Sequence, residues 1–283
     1  MLRSVRGAVN PPKTGTGRLA RRVSNFEPGD LGAWLRTERL GRTSSYHETI
    51  GSTQDEARRL ALGGAPHGHL VWAGAQTAGR GRLARQWHSP AMAGLWFSVI
   101  LRPQRPAAEV AALPLAVGAA VATVLDREAP GSIGLKWPND VLLDGRKVAG
   151  ILVEAHTAAG IVVDAVVGIG INLRRPEGGF PAEIGGLAAA LADVAVVPSP
   201  VALLAAILES LELFYTGLLS GGPAAARTRW LELADTIGRE VTAQAAGRTI
   251  TGTAVDLDDQ GNLVVVSGDH REVISYGEIQ QLR

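Results

Sequence analysis

The chain of 283 residues contains no cysteine, which excludes a disulfide scaffold, a thiol nucleophile and any cysteine-based metal site. An excess of charge is missing too: 28 basic against 27 acidic residues leave a formal net charge of +1. No global field recruits nucleic acid or a membrane, so any anion binding has to be local. No apolar run reads as the ~20 residues that span a bilayer, and the N-terminus lacks the apolar stretch of a secretory signal. The expectation is a protein of the cytoplasm with no membrane partner. No Lys-Ser or Lys-Thr follows the glycines near residue 80, which rules out a P-loop. Gly168-x-Gly170 lacks the third glycine and the following helix of a dinucleotide fingerprint. His47, His67, His69 and His88 have no metal-ligand spacing.

What is present is the composition of a globular protein, 46% hydrophobic and 19% charged, long enough for one large domain or two unequal ones. Residues 1–26 depart from it, carrying Arg3, Arg6, Lys13, Arg18, Arg21 and Arg22 with no acid. This arm reads as a flexible leader, too short for a helix-turn-helix module. The expected division is a basic extension over 1–40, a main domain over 41–234 and a small C-terminal domain over 235–283.

Apolar spacing predicts a helix at Leu31–Leu40, a strand at Tyr46–Ile50 and a helix at Gln54–Leu62 capped by Gly51-Ser52-Thr53. Strands follow at Leu70–Ala75 and Leu95–Leu101, then a mostly buried helix at Ala107–Leu125. Ile133–Trp137, Val141–Leu143, Arg146–Glu154 and Ile161–Leu173 are strands joined by tight turns, with Asp144-Gly145 as a hairpin signal. Turns in place of crossover helices imply an α+β fold with a mixed, largely antiparallel sheet. Helices at Pro198–Leu219 and Ala224–Leu233 precede short strands at Glu240–Ala245, Arg248–Leu257, Asn262–Ser267 and Glu272–Ser275. One of the turns between them is Ala246-Gly247, and together they make a small appended β-barrel.

The stretch Gln76 to Trp87 holds the densest chemistry. Gly79 and Gly81 alternate with Arg80 and Arg82, Arg85 follows, and Trp87 closes the run. Glycine lets the backbone bend and approach a ligand, and arginine brings a permanently charged fork of donors that matches carboxylate or phosphate oxygens. The loop is read as one that orders itself over an anion.

Four motifs occur in order: Gly79-Arg80-Gly81-Arg82-x-x-Arg85-x-Trp87, Lys136-Trp137-Pro138-Asn139-Asp140, Lys147-x-x-Gly150-Ile151-Leu152-x-Glu154 and Gly168-x-Gly170-x-Asn172. On these the chain resembles the bacterial biotin protein ligases over roughly residues 45–283. The resemblance implies a class II synthetase-like catalytic domain with an SH3-like barrel. It also implies formation of biotinyl-5′-AMP from biotin and ATP with Mg²⁺, then transfer of biotin to a lysine of a biotin carboxyl carrier protein. By position, Ser52, Thr53, Gln76, Gly79, Arg80, Arg82, Lys147 and Gly150 are the implied biotin residues. Arg82, Arg85, Trp87, Lys136, Asn139, Lys147 and Asn172 are implied on the nucleotide side, with Arg82, Lys147 and Asp140 as the catalytic set and no metal ligands assigned. The chain departs from the family at Gln54, where asparagine is common, and in the 174–187 loop, whose one aromatic is Phe180 in place of a tryptophan.

The residue chemistry agrees. A biotin carboxylate attacking phosphorus needs positive charge between two anions, which Arg82, Arg85 and Lys147 supply. Taken alone, Glu154 reads as a solvated charge at a strand end and Asp140 as a turn organiser. The rival readings are a lipoate or octanoyl ligase, whose Arg-Arg-glycine run is absent, and a biotin-responsive DNA-binding repressor. No sequence-specific DNA partner is expected, and the expected state is a monomer or a ligand-linked homodimer.

Overall fold

A computed structural model describes residues 31–245, 248–275 and 278–281. The basic arm expected over residues 1–26 and the Ala246-Gly247 turn lie outside the described residues.

One eight-stranded sheet organises the larger part of the chain. Its order is β1 (Ser44–Ile50), β2 (Leu70–Gln76), β3 (Gly94–Leu101), β8 (Ile161–Asn172), β7 (Arg146–Ala158), β6 (Asp140–Leu143) and β5 (Ile133–Lys136), with β4 (Arg105–Pro106) also pairing β8. Only β1 and β2 run parallel, and the helix α2 (Thr53–Leu62) provides the crossover they need. The remaining pairs are antiparallel, as the tight turns predict. Asp144 and Gly145 both have positive φ, 47° and 75°, the combination that a two-residue hairpin with the right twist requires.

Residues of β3 are buried on both faces, and the period of two sends alternate side chains to different partners. Leu95, Phe97, Val99 and Leu101 join the main core with α3 (Leu113–Glu128), α4 (Pro200–Gly221) and α5 (Ala224–Glu232). Ile100 goes the other way, packing with Val71, Val166 and the α2 residues Ala57 and Ala61.

Three expectations change. The helix predicted over Leu31–Leu40 stops after α1 (Leu31–Trp34), because the amides of Glu38, Arg39 and Leu40 turn instead to the Glu212 carboxylate at 2.6, 2.8 and 2.9 Å. Leu31 and Leu40 are buried, so residues 31–40 pack onto the body and do not belong to a flexible extension. The helix predicted from Ala107 begins at Leu113 after a 3₁₀ turn at Ala107–Val110; Pro114 fits only the first turn of an α-helix, where its missing N–H is not needed. Finally, Ala107–Glu128 and Pro200–Gly221 are each 22 residues long and apolar enough to cross a membrane by length and composition. Both pack on the sheet and on each other, which accounts for their apolar character.

The second sheet is antiparallel, in the order β12 (His270–Ile274), β11 (Leu263–Ser267), β10 (Arg248–Leu257), β9 (Glu240–Ala245) and β13 (Glu278–Gln281). It has one strand more than the sequence pattern suggests. It docks beside β5: the Trp137 amide donates to Thr236 Oγ1 at 3.0 Å and its indole N–H to the Gly261 carbonyl at 3.0 Å. Arg227 on α5 pairs with Asp256 at 2.6 Å. Trp137 is 3% exposed, so removing its cover opens the core. Ending the chain at residue 235 is expected to lower Tm by about 5–10 °C, the shift that a loss of a few kcal/mol gives in a protein of this size. Thermal unfolding followed by circular dichroism at an unchanged Tm would show that the second sheet lends the first no stability.

Candidate active site

The glycine–arginine loop leaves β2 at Gln76 and folds back on itself. The Gln76 amide donates to the Ser89 carbonyl at 2.9 Å, Trp87 N to Gly79 O at 2.8 Å and Gly81 N to Arg85 O at 2.8 Å. Leu83 and Ala84 turn the tip with φ of 54° and 58°. Gly79 is required for this closure, because a Cβ there would stand 2.5 Å from the Trp87 carbonyl oxygen.

Trp87 then lies on the sheet across Gly150 of β7 and Gly170 of β8, which pair directly in register. A Cβ at Gly170 would meet the indole Nε1 at 2.3 Å, and one at Gly150 would meet the ring at 2.8 Å. The indole stands edge-on to Trp96 at 6.5 Å and carries Lys147 Nζ 5.2 Å from its ring centre.

Two clefts meet beneath the loop. The smaller, about 440 Å³ with its open mouth, is lined by Ser52, Thr53, Gln54, Gln76, Ser98 and the floor of β7 and β8. Arg80, Arg82 and Lys147 also reach its edge, whereas the uncharged polar residues among its walls are wired together. Ser52 caps α2 by accepting from the Asp55 amide at 3.4 Å. Gln76 Oε1 accepts from the Thr53 amide at 2.8 Å, and Gln76 Nε2 donates to Ser89 Oγ at 2.8 Å. The larger cleft, about 1510 Å³, holds Arg85, His88, Lys136, Trp137, Asp140, Asn172, Phe180 and Leu187. Gly81, Arg82, Trp87, Asn139 and Lys147 line both.

The charged groups sit at that junction. Lys147 Nζ reaches Asp140 Oδ1 at 2.6 Å, next to the irregular pairing of β6 with β7. Its backbone is gripped by the returning loop, through Lys147 N to Leu187 O at 2.8 Å and Ala189 N to Lys147 O at 2.9 Å. Arg82 Nη1 donates to Asn139 Oδ1 at 2.9 Å, and Asn139 Nδ2 donates to the Ile151 carbonyl at 3.0 Å. Asn172 is buried and donates to the Ala189 carbonyl at 3.1 Å, so its side chain holds the 174–190 loop. Phe180 lies on the cleft wall with the Arg175 guanidinium 5.7 Å from its ring centre.

The structure thus brings the residues singled out for the two ligands to these clefts and their loop, with Gly79 lining neither cleft but serving the loop's closure. Arg80 does not aim its fork into the cleft. It pairs with Glu154 at 2.7 Å and Asp55 at 2.8 Å. Partial burial works against its charge, but the bonds and charges of Glu154 and Asp55 outweigh it and hold its pKa above the usual arginine range. Glu154 is not at a strand end, because β7 continues to Ala158. Its place in the Lys147-x-x-Gly150-Ile151-Leu152-x-Glu154 motif was the signal for it. Ser98 and Ser89 carry no motif at all; only strand pairing and the loop's return put them here.

Against this geometry the comparisons with known proteins are decisive. The profile of the biotin/lipoate A/B protein ligase family matches residues 46–172, and that of the biotin protein ligase C terminal domain matches residues 236–281. The chain is 35% identical over 267 residues to the biotin–[acetyl-CoA-carboxylase] ligase of Mycobacterium tuberculosis, covering 88% of this chain and 94% of that protein. The chain belongs to the biotin protein ligase family. It is also 33% identical over 264 residues to the bifunctional ligase/repressor BirA of Bacillus subtilis, covering 93% of this chain and 81% of BirA. Its fold matches the biotin protein ligase of Aquifex aeolicus in complex with biotin and ATP, with a TM-score of 0.73 and 28% identity over 86% of this chain and 99% of that one. The mixed sheet and small SH3-like domain are those of this ligase family.

Because the seat of Trp87 has no room for a methyl group, Gly170→Ala is expected to push the indole off the sheet. Tryptophan fluorescence should shift, and affinity for a ligand in the smaller cleft should fall about tenfold, the scale of a lost aromatic wall. Unshifted fluorescence with full affinity would show that Trp87 can seat elsewhere.

Proposed function

We propose that the chain is a cytoplasmic biotin protein ligase. It makes biotinyl-5′-AMP from biotin and ATP, then passes biotin to a lysine of a biotin carboxyl carrier protein. The observation that carries this is the pair of joined clefts, a small one with Ser52, Thr53 and Gln76 in its walls and a wide basic one, with Arg82, Asn139 and Lys147 lining both. In the smaller cleft, Ser52, Thr53 and Gln76 offer uncharged partners for a ureido ring, and the carboxylate end of biotin points to the junction.

There a carboxylate oxygen attacks the α-phosphorus, the bond to the β-phosphate oxygen breaks, and pyrophosphate leaves. Two anions must approach, and Lys147 and Arg82 supply charge at the point of approach before the reaction begins. Asp140 holds the Lys147 ammonium in place until substrate arrives. In the second step a neutral amine of the carrier attacks the acyl carbon, the bond to the phosphate oxygen breaks, AMP leaves, and the amine loses a proton. Lys147 then faces the oxygen on which charge develops. Mg²⁺ carried on the triphosphate offsets its charge. Asp140 is the carboxylate lining the larger cleft, and the described residues hold no cluster of three or more possible ligands. Asp140 would be the residue to hold such an ion, which would supply positive charge on the phosphates.

The division into a catalytic domain up to residue 234 and a C-terminal domain from 235 is supported by the change from one sheet to the other between Glu232 and Glu240. The reading extends to a ligase without sequence-specific DNA binding, because the chain covers 94% and 96% of two relatives named as biotin–[acetyl-CoA-carboxylase] ligases. Footprinting at the host's biotin-operon promoter is expected to show no protection with biotin and ATP present, and clear protection would make the chain a repressor as well.

The direct test is mass spectrometry of a carrier domain after incubation with the protein, biotin and MgATP, where one lysine should gain a biotinyl group. An unmodified carrier refutes the assignment. Lys147→Met should slow both half-reactions by roughly a hundred- to a thousandfold, about 2.7–4 kcal/mol, the loss typical of removing one preorganised donor at a developing oxyanion. Stopped-flow adenylation and single-turnover transfer measure the two separately. A change in biotin affinity alone would reduce Lys147 to a binding group.

A further inference from the structure

Glu154 lies outside the reacting centre, yet two residues of the smaller cleft, Arg80 and Gln54, bond to it directly. Its Oε1 takes Arg80 Nη2 at 2.7 Å; its Oε2 takes Arg80 Nη1 at 3.2 Å and Gln54 Nε2 at 2.9 Å. Gln54 Nε2 also donates to the Val166 carbonyl at 3.2 Å. Both amide protons of Gln54 are therefore committed to acceptors, and its Oε1 must face Ser98. Its length is accommodated only because residue 168 is glycine, where a Cβ would stand 2.4 Å from Gln54 Oε1.

Proton counting then runs outward. Ser98 Oγ donates its single proton to Gln54 Oε1 at 3.2 Å. In its 3.0 Å contact with Thr53 Oγ1, Ser98 can only accept. The single Thr53 proton is shared between Gln76 Oε1 at 3.1 Å and Ser98 Oγ, so the Thr53 hydroxyl receives no proton from either and is left with its lone pairs toward the cleft. A ligand with N–H groups, such as a ureido ring, finds acceptors; one presenting carbonyls in their place does not.

We propose that Glu154 is a positioning residue of the biotin site. Through Arg80 it holds down the base of the glycine–arginine loop, and through Gln54 and Ser98 it makes the Thr53 hydroxyl an acceptor toward the ligand. The inference rests on the reading of the smaller cleft as the biotin site. Arg80 and Glu154 are only partly buried, 34% and 29% exposed, so their bond adds little to global stability. Its effect is local, on the loop and on the direction of the hydroxyls.

Glu154→Gln is nearly isosteric, removes the charge that Arg80 needs, and gives residue 154 protons of its own, freeing Gln54 to turn over. Calorimetric titration should show biotin affinity reduced about tenfold, the scale of a charge-assisted hydrogen bond. The adenylation kcat at saturating biotin should stay within about twofold, since only binding shared by ground and transition states is lost. Arg80→Met cuts one of the two arms and should lose less affinity. The double variant should match Glu154→Gln alone, because the second change removes a contact already lost. Amide hydrogen exchange of residues 79–87 in the ligand-free protein should rise equally in both single variants. Unchanged affinity or unchanged exchange in Glu154→Gln, or losses that multiply in the double variant, overturns the proposal. A wild-type protein that binds no biotin refutes the proposed function instead, and the exchange comparison then decides on the Arg80 arm by itself.

Discussion

Two glycines facing each other across β7 and β8 make the rest of the site possible. Gly150 and Gly170 leave a patch of bare backbone in the middle of the sheet, and only there can an indole lie flat against the strands. With Trp87 seated, the loop that ends in it is drawn over the sheet, the two clefts acquire a common wall, and Lys147 gains an aromatic face. Glycine weakens a strand interior by entropy and lost packing. The sheet tolerates the pair because β3 and β8 beside them are buried nearly throughout.

Charge is distributed around that seat in matched sets. Lys147 is held by Asp140 and Arg80 by Glu154 and Asp55, while Arg82 is oriented by the neutral carbonyl of Asn139. Ion pairs of this exposure contribute little to folding, but they fix long flexible side chains in one place before any ligand arrives. Paired side chains are also the ones that do not have to be reordered when two anions are brought together, which is the difficulty of the proposed first step.

The remaining walls come from segments distant in sequence. The 174–190 loop is stitched to Lys147 by main-chain bonds at Leu187 and Ala189 and to Asn172 by its side chain. The second sheet closes on Trp137 and contributes Ile279 to the larger cleft. A loop rich in glycine and proline thereby becomes part of the scaffold that positions Lys147.

The order of the four motifs, the antiparallel meander from Ile133 to Asn172 and the hairpin at Asp144-Gly145 are determined locally. Alternation of apolar residues, glycine at positive φ and turn residues at short spacing act within a few residues of one another, so they can be read along the chain. Family membership was legible in the four motifs, and the resemblance they carry, not a local rule, implied that Ser52, Thr53, Gln76 and Lys147 share one site. Only the tertiary structure decided where the side chains send their protons and charges. Arg80 and Arg82 are two residues apart on one loop, yet one turns outward to Glu154 and the other inward to Asn139. Glu154 reads as a solvated charge until a partner 74 positions away is placed beside it, and Ser98 is an ordinary buried strand residue until β1, β2 and α2 bring Thr53 and Gln54 to it. The helix expected at Leu31–Leu40 gave way to a carboxylate more than 170 residues distant. Local conformation follows from neighbouring residues, whereas the direction of a hydrogen bond follows from whichever acceptor the fold brings within 3 Å, and sequence spacing carries no record of that distance.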